Sequence, residues 1–279
     1  MLPPSEYLVS LVTSSFCTLS IACKIKIHRL LKELVIAIQS YLKAHAFIRR
    51  HNLWKWILVP GAIYMMIFGA SIYFFGKSAN RVIAYLMIET GLQHWVQTFQ
   101  SGLLGFLFTF AGIVLWILLM LFYFSLFKYI FLIIGSPVFA YLSERTEAII
   151  EEKEFHFSWK QLFKDMARGI RLALRNCLRQ TLYIIGFLLL SFVPVAGWIT
   201  PLVILMIECY YYGFSMLDYS CERHKLSPSE SILYISKHKG LAIGNGLLFY
   251  LMHGIPLIGW LLAPSYAVVA ATISLYQKD

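Results

Sequence analysis

The sequence predicts an all-α polytopic integral membrane protein with two long transmembrane helices and two re-entrant helical hairpins. Three observations predict it. Of 279 residues, 59% are hydrophobic and only 14% charged, whereas a soluble domain carries roughly 25% charge. Residues 180–207 and 240–277 contain no Asp, Glu, Lys or Arg, so each stretch exceeds the ~20 residues of an ordinary membrane helix. Both stretches are then interrupted in the same order, by Pro194, Gly197, Trp198 and Pro201 and later by Pro256, Gly259, Trp260 and Pro264. Proline removes a helical hydrogen bond and clashes with the preceding turn, so a straight helix through these positions is disfavoured.

Residues 1–25 read as an N-terminal leader that is native, cleaved or a mis-called start: Tyr7 to Cys23 is uncharged, but no basic n-region precedes it. Residues 26–50 predict an amphipathic helix at the membrane surface, with Leu30, Leu31, Leu34, Val35, Ile38, Tyr41 and Leu42 at spacings of three and four. The first span is expected over 54–76 and the second over 102–142. An amphipathic basic helix follows at 158–180, and the two hairpins are placed at 181–217 and 240–276, all in a single membrane domain, 26–279. A kinked, fully crossing helix is the alternative for each hairpin. Broken backbone in lipid costs several kcal/mol per unpaired group, so a polar cavity is expected beside the breaks.

Charge sets the expected orientation. Eight Lys/Arg lie within residues 1–55 and eight within 143–180, but only two within 77–100. Basic segments stay in the cytoplasm, which places both termini on that side. The third basic cluster, Arg223, Lys225, Lys237 and Lys239, agrees if each hairpin enters and leaves on one face. The net charge of +10 therefore points to membrane topology; a nucleic-acid partner is not expected, because long apolar runs separate the basic segments.

Lys160, Lys164, Arg168, Arg171, Arg175 and Arg179 recur at spacings of three and four and predict a one-sided basic stripe. Such a stripe either meets lipid headgroups or forms an electrostatic funnel for a small anion. Glu208 is an intramembrane carboxylate; it calls for either a buried partner, an arginine, or a proton-coupling role. No CxxC, HExxH, phosphate loop or nucleophile elbow occurs, so no metal, no cofactor and no enzymatic activity are expected.

Gly135, Ser136 and Pro137 followed by Glu144 and Glu147, the VPVAGWITP segment, Asp218 and Tyr219 with His224 and Lys225, and IPLIGWLLAP together resemble the CysZ sulfate permease family, bacterial relatives of the etoposide-induced membrane proteins. The resemblance implies two full spans plus two partly penetrating hairpins, a homo-oligomer without an ATPase, and the bacterial inner membrane. It also implies an anion site at a Gly-x-Arg-Arg turn before the first span. Here Asn52, Leu53, Trp54 and Lys55 match that turn, with Arg49 and Arg50 just upstream; the glycine and one arginine are absent, and lysine stands for the other. The expected function is permeation of a small inorganic oxyanion, sulfate above all. The alternative is a non-transporting scaffold of the same fold that interacts with membrane lipids.

Overall fold

The computed structural model describes residues 4–89, 103–154, 158–190 and 194–277, with side-chain detail through most of these; residues 4–23, 103–119 and 194–198 are among the exceptions. The described chain is helical: α1 Pro4–Arg50, α2 Trp54–Glu89, α3 Leu103–Ile150, α4 Trp159–Leu190, α5 Pro194–Arg223, α6 Pro228–Lys237, α7 Lys239–His253 and α8 Ile258–Tyr276. Four segments are long and apolar enough to cross a membrane: Trp54–Ser78, Ser125–Ile150, Ile199–Arg223 and Ile258–Tyr276. The protein is an all-α, multi-pass membrane protein.

Helix α8 is the central element. Every residue from Ala263 to Leu275 is buried, which fits a helix that is apolar all round, and α1, α2, α3, α5 and α7 all pack on it. Helix α2 instead buries one stripe, Ile57, Gly61, Tyr64, Phe68, Ser71 and Phe75, at helical spacing. Its other faces leave Val59, Met66, Tyr73 and Phe74 exposed. Such a surface is a liability in water and ordinary against acyl chains.

Close crossings rely on missing side chains. A Cβ on Gly213 would lie 1.9 Å from the Ala242 carbonyl oxygen, and one on Gly246 would lie 1.9 Å from that of Cys209. Helices α5 and α7 therefore meet backbone to backbone, the small-residue packing that membrane helices favour.

The expected boundaries shift in several places. The leader and the amphipathic segment join in α1, a 47-residue helix. Its apolar row also divides differently: Glu33, Ala37, Ser40, Ala44 and Ile48 turn inward, while Leu31, Val35, Ile38 and Leu42 remain exposed. The small inward residues let α1 pack against α7 and α8, so it is part of the bundle as well as presenting an apolar face. The basic helix and the first hairpin arm are likewise one helix, α4.

Two of the expected break prolines lie within helices. Pro201 lies inside α5 and Pro264 inside α8. Pro194 begins α5, where its missing N–H would have had no helical partner; the side chains of Pro194 and Trp198 lie outside the described residues. Between α7 and α8, the chain turns at Gly254–Leu257 with Pro256 in the turn, and Gly259 packs against the Met252 carbonyl. The backbone of this turn is satisfied locally: Gly254 donates to Tyr250 at 2.9 Å, Ile255 to Met252 at 3.1 Å and Gly259 to Ile255 at 2.9 Å.

Candidate functional site

A column of polar side chains runs through the apolar bundle between α3, α4 and α5. Helix α4 supplies Asp165, Arg168, Asn176 and Gln180 at spacings of three, eight and four, while Leu174, Leu178, Leu182 and Leu189 point outward. Its inward face pairs polar groups with neighbouring helices, while its outward face mixes these leucines with the exposed cations Lys160, Lys164, Arg171 and Arg179. From Asp165 to Gln180 the column spans about 22 Å at ~1.5 Å per residue.

At one end lies a buried ionic cluster. Lys128 Nζ on α3 donates to Glu208 Oε2 on α5 at 2.6 Å and to Gln180 Oε1 at 2.7 Å. Gln180 accepts further from Tyr129 at 2.6 Å, and its amide donates to Ser125 at 2.8 Å and to the second oxygen of Glu208. Tyr250 on α7 donates to Glu208 at 3.0 Å. Lys128, Gln180 and Glu208 are 6%, 0% and 3% exposed. Two ions removed from water are tolerable only when mutually paired and fully hydrogen-bonded, and this cluster satisfies that condition with four helices. The expected arginine partner of Glu208 is thus corrected to Lys128. The signal was legible: Lys128 is the one charge in the apolar run 102–142.

At the other end, Arg168 turns inward from the predicted stripe. Its guanidinium donates to Asp218 at 3.0 Å, to Ser231 at 2.6 Å and to the Leu226 carbonyl. Arg223 pairs with Asp165 and lies 3.7 Å from Glu144. The stripe is therefore split: Lys160, Lys164, Arg171 and Arg179 are exposed, Arg175 is half-buried and donates to Asn176, and Arg168 belongs to the core. Between the ends sits a void of about 10 Å³ lined by Gly169, Ser215 and Asp218 among others.

The family-motif residues gather around this column. Ser143, two residues from Tyr141, shares hydroxyl contacts with Ser220 and Thr272 at 3.4 and 3.3 Å. Tyr219 is buried against Phe139, and Glu147 accepts from Tyr276 at 3.0 Å. Pro137 lines a cleft of about 710 Å³ with Lys55, Trp56, Pro60 and Trp159. His224 packs on the Tyr276 ring.

The α1–α2 turn has a geometry of its own. Asn52 holds φ 52, the left-handed region that glycine enters freely and asparagine best among the others. Leu53 N donates to Ile48 O at 3.1 Å, the six-to-one bond of a Schellman cap, and Leu53 and Ile48 are both buried beneath it. So Asn52 holds a left-handed position that glycine would enter without strain. Arg49, Arg50 and Lys55 are exposed around the turn and Trp54 is half-buried. No acidic residue occupies the first turn of α2, where the helix dipole is positive.

The family described as sulfate transporter CysZ/etoposide-induced protein 2.4 matches residues 40–264. Among curated relatives, "Sulfate transporter CysZ" of Pseudomonas syringae pv. tomato is 28% identical, covering 68% of this chain and 77% of that protein. The protein of the same name from Pseudomonas fluorescens Pf0-1 is 26% identical over 78% of this chain and 83% of its own length. That of Pseudomonas paraeruginosa is 28% identical over 72% and 85%.

Proposed function

The chain belongs to the sulfate transporter CysZ/etoposide-induced protein 2.4 family, and from that premise we propose that it is a bacterial inner-membrane permease for a small inorganic oxyanion, sulfate first. The observation that carries the reading is the polar column inside an apolar bundle: buried Asp165, Asn176, Gln180, Lys128 and Glu208, with half-buried Arg168, follow one another between α3, α4 and α5. Intramembrane charges are costly and mark ion pathways. Permeation involves no covalent chemistry, and the chain's own residues supply the dehydrated anion with replacement hydrogen bonds.

In this reading Asn52, Leu53, Trp54 and Lys55, with Arg49 and Arg50, recognise the anion at the α1–α2 turn. Exposed cations attract it, and amides at the start of α2 suit an oxyanion. The Lys128–Glu208–Gln180 cluster closes the column, and passage requires these groups to part. Both termini face the cytoplasm, as the basic segments favour. Helix α7 has 15 residues, about 22 Å of helix against a ~30 Å hydrocarbon core, which supports partial penetration by that arm of the second hairpin. Exposed apolar rows on α1, α2 and α4 fit lipid and further copies of the chain in a homo-oligomer.

Radiolabelled sulfate uptake into proteoliposomes tests the proposal. The wild type is expected to exceed empty vesicles, and Lys55→Ala to reduce the initial rate. Uptake equal to that of empty vesicles removes the function.

A further inference from the structure

The two ends of α4 leave one charged surface unexplained. A cleft of about 770 Å³ opens between α4 and the α5–α6 connection, and Lys164, Arg168, Arg171, Glu222, Arg223 and Lys225 line it. It is separate from the α1–α2 turn, and its volume exceeds the needs of one bare oxyanion.

Its cations fall into two sets. Arg168 and Arg223 are held by Asp218, Glu222, Asp165 and Glu144, so they form the wall. Lys164, Arg171 and Lys225 are exposed, and among the described residues no carboxylate stands within ion-pair distance of any of them. Glu222 in the same cleft offsets part of this charge through Arg168 and Lys164, and the three exposed cations still outnumber it, so the concavity attracts a multiply charged anion.

The connection is also fixed in place. Arg168 donates to the Leu226 carbonyl and to Ser231, and Leu226 N donates to Cys221 O at 3.2 Å. Lys225 itself has φ 59, a conformation that disfavours a side chain and suits glycine. Lys225 therefore caps α5 as Asn52 caps α1, and the fixed turn holds its side chain on the same cleft as Lys164 and Arg171. The start of α6 is not the attraction, since Ser227 and Glu230 already form a capping box there.

We propose that this cleft is a second oxyanion site, taking a multiply charged phosphate-type group through the side chains of Lys164, Arg171 and Lys225. The group arrives either from solution or on a lipid headgroup. The site stands independently of permeation, so a failed flux experiment leaves it unaffected.

Two probes distinguish the sources on the full-length protein in neutral detergent: inorganic pyrophosphate by titration calorimetry, and phosphatidic acid against phosphatidylcholine by native mass spectrometry. The wild type is expected to bind one of the anionic probes. Lys225→Gly weakens that binding roughly tenfold, equivalent to ~1.4 kcal/mol, while its melting temperature holds or rises because glycine relaxes the turn. Lys164→Gln with Arg171→Gln abolishes binding at the cleft, and Lys43→Gln, an exposed cation on α1 outside both sites, leaves it unchanged. Pyrophosphate binding alone assigns a soluble anion; phosphatidic acid retention alone assigns a headgroup. Wild type that binds neither probe overturns the site, as do Lys225→Gly and the double variant binding as the wild type does.

Discussion

The Lys128–Glu208 cluster and the Asn52–Lys55 turn use charge in opposite ways. In the cluster both ions are buried, and each is satisfied by a second helix or a third. At the turn the backbone is fixed by a buried leucine and a left-handed asparagine, while the cations stay in reach of solvent. A buried charge with all its bonds made holds helices together; an exposed charge on a rigid turn is free to meet a ligand. Stability and recognition are thus assigned to different places.

Breaking the cluster gives the largest expected effect. Glu208→Ala leaves Lys128 buried without its counter-ion and is expected to destabilise the protein by about 3–5 kcal/mol, read from unfolding in detergent. Adding Lys128→Met recovers most of that loss; a double variant as unstable as the single one shows that the pair is not the source.

The turn sharpens the contrast at smaller scale. Asn52→Val forces a β-branched residue into the left-handed region and costs about 1–2 kcal/mol, whereas Asn52→Gly is neutral or stabilising. Equal melting temperatures for the two variants contradict the backbone role. Lys55→Ala, an exposed charge, changes stability by no more than about 0.5 kcal/mol yet lowers sulfate uptake.

Glu230 gives the smallest effect. The Ser227 amide holds its carboxyl below the usual range. Because the folded group is the stronger acid, its contribution is present above the ordinary glutamate range near ~4.3 and fades as pH falls through the folded value. Glu230→Gln is expected to flatten that acid limb of the melting curve, and identical acid limbs count against it.

Much of the fold was readable from residue order. The all-helical membrane class and its long apolar helices follow from length, charge and backbone chemistry. The inward face of α4 was not. Spacing alone puts Arg168 with Lys164 and Arg171 on one stripe, and only neighbouring Asp218, Ser231 and the Leu226 carbonyl turn it into the core. Lys128 and Glu208 were each visible as lone charges, but 80 positions separate them.

By itself the sequence determined that lipid is the solvent, because water cannot accommodate such apolar stretches and lipid admits only helices whose backbone bonds are internal. Tertiary structure decided which polar groups share a site. Pairing depends on distances between helices, and those are set by packing, as where Gly213 and Gly246 let α5 and α7 touch. Periodicity along one helix does not record its neighbours.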